Sequence, residues 1–405
     1  MGGLGSVTID DVLAARKLLD GIVRVTPVEN SRVIGARIGG PAYLKCENLQ
    51  RTGSFKIRGA YVRIARMAPA ERAAGVVAAS AGNHAQGVAL AARLLGTSAT
   101  VFMPISAPLP KVAATRAYGA TVHLVGSTVD EALVAARDQE RETGSVLVHP
   151  FDHQDIIAGQ GTVGLELLEQ CPDVRTVVVC TGGGGLVAGI GVAVKALRPD
   201  VRVVAVQAER AAAYPVSLAA GRPMPLRSMS TMADGIAVGC PGEITFELVR
   251  EVVDEVVTVS EAALSRALLF CLERAKMVVE PAGVAAVAAL LEEPGRFQPP
   301  VVAVLSGGNV DPVLLARVIQ HGMIAAGRYL SFRVRIADRP GELARLLRLL
   351  AELGANVLDV EHSRTTSRLN LGEVEVALSV ETRGETHTEE LLTALRAAGH
   401  TLSFS

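Results

Sequence analysis

Residues 176–194, TVVVCTGGGGLVAGIGVAV, run for 19 residues without a charge and are interrupted by four consecutive glycines, Gly182, Gly183, Gly184 and Gly185. The length would suffice for a membrane span, but four glycines in the middle break such a helix. The segment therefore reads as a buried strand over 176–180, a glycine turn, and a helix over 186–197. Side-chain-free residues at that junction let successive backbone N–H groups turn toward one anion, and the helix dipole adds to the attraction, so the natural ligand is a phosphate. Two other readings stay open here. One is a mere tight turn. The other is a dinucleotide fingerprint, because Gly183, Gly185 and Ala188 satisfy G-x-G-x-x-A and Glu209 ends the next strand, where a ribose-binding acid would sit.

Short apolar runs alternate with helical periodicity on both sides of this segment. Strands are expected over 75–79, 99–103, 121–125, 145–149, 202–207 and 300–305, and helices over 83–95 and 109–118. Thr128 with Glu131 three residues later forms a capping box for a further helix. Strand–helix–strand repetition with strongly apolar strands argues for α/β architecture, a parallel sheet covered on both faces. After residue 327 the pattern changes: strand 329–337, helix 340–353, strand 355–363, strand 373–381, helix 388–398, and a closing strand over 400–404. That order, βαββαβ, is a ferredoxin-like unit. Residues 322–327 are the expected linker.

The chain has 405 residues, 49% of them apolar and 20% charged, which gives two or three folded domains and argues against disorder. Its 40 basic and 41 acidic side chains nearly cancel, without long single-sign blocks, so neither nucleic acid nor a membrane surface is an expected partner. The five cysteines contain no C-x-x-C pair. Neither a disulfide framework nor a metal site is expected, and a reducing cytoplasm fits best. The first residues lack the regions of a secretory signal; Gly2 to Ser6 match a loose acylation pattern that is set aside as a short glycine-rich coincidence.

The chain holds only six lysines: Lys17, Lys45, Lys56, Lys111, Lys195 and Lys276. Lys17, Lys195 and Lys276 lie on helical patterns with a solvated role as default, and Lys45 closes a strand-like run. Lys56 differs, standing beside Phe55 in a loop punctuated by Gly53 and Ser54. A surface-loop lysine remains an equal reading from spacing alone.

Six motifs in order change that balance: residues 54–60 (SFKIRGA), 80–87 (SAGNHAQG), 158–162 (AGQGT), the glycine loop, 280–283 (EPAG) and 306–309 (SGGN). Together they resemble the threonine dehydratases (threonine ammonia-lyases), pyridoxal-phosphate enzymes of fold type II, over about residues 10–320. The tail from about 328 resembles an ACT domain. The resemblance implies a catalytic part of two α/β subdomains over 1–321, with a smaller mobile one over about 46–149, and an ACT regulatory domain over 328–405.

By that resemblance Lys56 is the catalytic residue, binding the cofactor covalently and removing the substrate Cα proton. Phe55 packs on the cofactor ring, Gly182 to Gly185 cradle its phosphate, Asn83 bonds its 3′-oxygen and Ser306 faces its ring nitrogen. Ser80, Gly82, Asn83 and His84 begin a helix whose N–H groups hold the substrate carboxylate. A hydroxyl at the ring nitrogen makes a weaker electron sink than an aspartate, which favours β-elimination over transamination. No separate acid for the leaving hydroxyl is evident in the sequence; the resemblance assigns that proton to the cofactor phosphate.

The implied reaction is deamination of L-threonine to 2-oxobutanoate and ammonia, with activity on L-serine. Another fold type II lyase, such as a hydroxyaspartate dehydratase, is the alternative; a nicotinamide-dependent dehydrogenase leaves Lys56 and Ser306 without a role. Serine racemases of this fold carry a serine where this chain has Ala81, and alanine cannot exchange a proton, so racemisation is not expected. The tail segment Asp338, Pro340, Gly341 and Glu342 resembles the ligand loop of ACT domains and implies isoleucine or valine as effector. A homo-oligomer, dimer or tetramer, is the expected assembly.

Overall fold

The structure is a computed structural model that describes residues 7–364 and 369–404. The N-terminal acylation pattern lies outside the described residues. Contacts divide the chain into two units, Met1–Leu315 and Ala316–Ser405.

The first unit holds two sheets. The larger has six strands in the order Val28–Asn30, Ala42–Cys46, Val301–Leu305, Thr176–Cys180, Arg202–Ala208 and Glu255–Val259. All its pairings are parallel except the first, so the expected parallel sheet carries one antiparallel edge. That edge is a three-residue strand, short enough to return beside its neighbour through the Arg32–Ile38 helix. The central strands Thr176–Cys180 and Val301–Leu305 are buried at every position, as their unbroken apolar runs require.

The smaller sheet is wholly parallel, in the order Thr121–Leu124, Ala99–Met103, Val76–Ala79, Val146–Leu147. Its last strand has two residues where five were expected. His149 leaves the ladder and accepts the Asp152 N–H at its Nδ1, at 2.8 Å, which turns the chain away from the sheet.

Three helices bind the two sheets together. The Gln154–Gln170 helix packs between the Lys56–Ala65 and Gly185–Leu197 helices. Contact with the first is backbone to backbone: a Cβ on Gly159 would lie 2.6 Å from the Gly59 Cα. The glycines of the 54–60 and 158–162 motifs are thus a close helix crossing.

In the second unit, the strands Asn356–Ser363, Glu373–Glu381, Tyr329–Ala337 and Leu402–Ser403 form one antiparallel sheet in that order. Phe332, Val334 and Ile336 alternate inward and pack with Leu346, Leu350, Leu391 and Leu395 of the Glu342–Glu352 and Glu385–Ala397 helices. The βαββαβ order is as read from the sequence. The first of these helices starts at Glu342 rather than at residue 340, because Gly341 takes a left-handed φ of +93°. Of the residues expected as linker, 322–325 lie in the helix Pro312–Ala325, which runs through Gly322. A glycine inside a helix costs only about 1 kcal/mol, and its apolar neighbours continue the helical period. Gly327, at φ +63°, follows its end.

Candidate active site

Three parallel strands end at one place. Ala79, Cys180 and Leu305 are the last residues of their strands, and Ser80, Thr181 and Ser306 follow them. Ligands of open parallel sheets bind outside such carboxyl ends. A cavity of about 1020 Å³ opens there, lined by Phe55, Lys56, Ser80, Gly82, Asn83, His84, the four glycines and Ser306. The lysine loop is stitched to the Ser306 loop by main-chain bonds, Phe55 N–H to Ser306 O at 3.2 Å and Gly308 N–H to Gly53 O at 2.8 Å.

Lys56 is the first residue of its helix, with Phe55 as the preceding cap and its ammonium 5.1 Å from the Phe55 ring centre. The Nζ donates to the Pro150 carbonyl at 2.8 Å. Burial pulls its pKa down to about 8, against the opposing pull of Cys180 and Glu280. The helix is anchored two residues further on. Fully buried Arg58 donates to both oxygens of Glu47, at 2.8 and 2.9 Å, and to Glu166 at 2.7 Å. Lys45 completes the cluster with a bond of 2.6 Å to Glu166.

Asn83 and His84 open the Asn83–Leu94 helix, whose first N–H groups have no partner within the helix. The Asn83 Nδ2 donates to Glu280 at 2.6 Å, and its Oδ1 accepts from Asn309 at 2.8 Å. His84 spends a ring nitrogen on the Val148 carbonyl, at 2.7 Å. A carbonyl only accepts, so Nε2 carries the proton, and burial holds this imidazole neutral by lowering its pKa to about 3. Ser80 Oγ accepts the Gly82 N–H at 3.1 Å and braces the turn before the helix.

Packing explains why three of the four glycines stand where they do. Gly184 has a φ of +95°, and a Cβ there would collide with the Tyr214 hydroxyl. A Cβ on Gly183 would strike the Phe151 ring, and one on Gly182 would lie 2.9 Å from the Ile236 backbone. Glu209 is exposed at the start of a short 3-10 turn, Glu209–Ala211, and does not line the cavity. The ribose-binding role that a dinucleotide would need is therefore not served.

Sequence reasoning missed several cavity residues. Lys111, nearly buried, donates to Asp234 at 2.8 Å across the cavity. Glu280 is fully buried, and burial together with nearby Asp234 raises its carboxyl to about 7. His149 lines the wall, with burial lowering its pKa to about 4. Glu280 and Asn309 stood inside quoted motifs, which was the available signal. Lys111 had none beyond the scarcity of lysine. Lys45, placed only at a strand end, is a buried ion-pair partner, and Lys276, read as helical, takes a left-handed φ of 59° after the Cys271–Ala275 turn. In the second unit, Asp338 pairs with Arg364 at 3.1 Å beside the Gly341 turn and the start of the Glu342–Glu352 helix.

These residues suit pyridoxal phosphate. Its aldehyde requires an amine of lowered pKa, which Lys56 offers. The phosphate requires a cradle without Cβ atoms at a helix start, which Gly182 to Gly185 form. Residues 19–307 match the family model described as pyridoxal-phosphate dependent enzyme, and residues 330–400 match the ACT domain model. An L-threonine ammonia-lyase of Thermotoga maritima is 48% identical over 97% of this chain and 98% of its own. The crystal structure of a threonine deaminase from T.th. superposes with a TM-score of 0.72 at 43% identity, covering 75% of this chain and 99% of that one. Maize serine racemase gives a TM-score of 0.74 at 37% identity, over 77% of this chain and 97% of its own. A lysine and a glycine cradle lining one cavity, matched over this length, place the chain in the family of pyridoxal-phosphate dependent enzymes, with an ACT domain following the catalytic part.

Proposed function

We propose that this enzyme deaminates L-threonine to 2-oxobutanoate and ammonia, acts on L-serine in the same way, and is regulated by isoleucine or valine through its ACT domain. The observation that carries the catalytic reading is Lys56, which lines the same cavity as the four-glycine turn and has its pKa lowered to about 8. Its support in kind is the likeness, along nearly the whole chain, to a protein named L-threonine ammonia-lyase.

Bound pyridoxal phosphate supplies an electron sink for the pair left when the Cα proton departs. The chain's residues do the rest. Lys56 Nζ, its pKa lowered by burial of the charged form, takes that proton. The free N–H groups at the start of the Asn83–Leu94 helix hold the substrate carboxylate. With the cofactor bound, Ser306 would face its ring nitrogen with a hydroxyl rather than a carboxylate, which would keep the sink weak and favour loss of the β-hydroxyl. Ala81 supplies no group that could return a proton to the opposite face.

The test is the visible absorption of purified protein before and after L-threonine, with 2-oxobutanoate, pyruvate from L-serine, and D-serine measured alongside. A violet-region band that changes with threonine, is absent in Lys56→Ala, and accompanies 2-oxobutanoate without D-serine is the expected result. Protein that stays colourless after pyridoxal phosphate is supplied would overturn the reading.

A further inference from the structure

We infer that Glu280 and Asn309 are positioning residues that grip the Asn83 amide from both ends and leave it one N–H for the cofactor. The inference rests on the reading that pyridoxal phosphate occupies the cavity beside Asn83.

Thr52 O can only accept, and the Asn309 Nδ2 donates to it at 2.6 Å, so the nitrogen of that amide must lie on the Thr52 side. The same nitrogen has a second hydrogen, which it gives to Asn83 Oδ1 at 2.8 Å. Asn83 therefore presents its oxygen to Asn309 and its nitrogen to Glu280 Oε1, 2.6 Å away. Turning the Asn83 amide over would set an N–H₂ against the Asn309 N–H₂, and its oxygen against a carboxyl oxygen. Every orientation in the chain thus follows from one carbonyl in the loop four residues before Lys56.

Glu280 is held firmly enough to serve as the far anchor. Its N–H donates to Gly307 O at 3.0 Å, and the residue is only 2% exposed, its carboxyl lying against the space that a Cβ on Gly307 would fill. Its other oxygen, Oε2, is buried without a hydrogen-bond partner among the described residues. The charged and titratable groups around it are Lys56, Lys111, Asp234 and Cys180. An amide carries two N–H bonds and an oxygen with two lone pairs; Asn83 has committed one of each.

Four proteins test this: wild type, Glu280→Leu, Asn309→Asp and Glu280→Gln, each titrated with pyridoxal phosphate while the visible spectrum is recorded. Leucine removes the acceptor, and aspartate faces Thr52 O and Asn83 Oδ1 with acceptors only. Both are expected to weaken cofactor binding by about 10-fold to 100-fold and to shift the absorption maximum. Glutamine still offers an oxygen to Asn83, so Glu280→Gln should bind within about threefold of wild type, with its band in place. Wild-type affinity and an unshifted band in both Glu280→Leu and Asn309→Asp would overturn the positioning role while leaving the cofactor reading intact. A wild-type protein that takes up no pyridoxal phosphate would overturn that reading and this inference with it. The two disruptive substitutions lie on separate segments, so if circular dichroism shows one to be unfolded the other decides.

Discussion

At the scale of one residue, the decisive number is the acidity of Lys56. Burial moves it from an ordinary 10.5 to about 8. Only the neutral amine can attack the cofactor aldehyde, and the neutral fraction falls tenfold for each pH unit below the pKa. Uptake of pyridoxal phosphate by cofactor-free protein should therefore quicken about tenfold per pH unit up to about 8 and level off above it. A rapid-mixing absorbance series from pH 6 to 10 measures this. A rate still climbing at pH 9.5 would mean that the lysine is unperturbed. His84 does not interfere, since it stays neutral throughout this range.

At the scale of elements, the site depends on how the Lys56–Ala65 helix is fixed, and that is the work of four buried charges. Arg58 and Lys45 face Glu47 and Glu166, with no more than 8% of any of these side chains exposed. Burial alone would raise the Glu47 carboxyl; the Arg58 guanidinium, together with Lys45 and the Thr26 hydroxyl, outweighs it and holds Glu47 below the usual carboxylate range. The stability it contributes is thus full above the ordinary carboxylate pKa and is lost as pH falls through the lowered value. Arg58→Met leaves two buried carboxylates facing one lysine, and should cost about 3–5 kcal/mol in urea unfolding at neutral pH. A loss under 1 kcal/mol would show that the cluster is not tightly coupled. None of this was legible in the sequence. Strands buried on both faces, such as Thr176–Cys180, announce themselves by unbroken valine, and the glycine loop by its lack of side chains. A buried lysine in a strand looks like any strand-end lysine, because its partner Glu166 lies 121 residues away. Likewise Asn83, Glu280 and Asn309 were readable as motif members, but their shared hydrogen bonds required three distant segments to be brought together.

At the scale of the whole molecule, the question is whether the second unit governs the first. An effector changes activity only by binding one state of the protein better than another, and such couplings commonly amount to about 1–3 kcal/mol, or 5-fold to 150-fold in affinity. Gly341 offers a way to ask this without touching the cavity. It stands at φ +93°, before the Glu342–Glu352 helix and three residues after Asp338. A β-branched residue is strained in that conformation, so Gly341→Val should distort the turn that resembles an effector loop. Threonine turnover would be followed against isoleucine and valine in wild type, in Gly341→Val and in a chain ending at residue 327. Wild type should respond to one of the two amino acids by at least about fivefold in half-saturating threonine. Gly341→Val should lose that response while its turnover without effector stays within about twofold, since nothing in the cavity has changed. The shortened chain separates two causes. If it keeps the full response, the effector acts on the catalytic unit itself, and regulation through the ACT domain is rejected. If it and Gly341→Val fall silent together, the turn before Glu342 is where the signal enters.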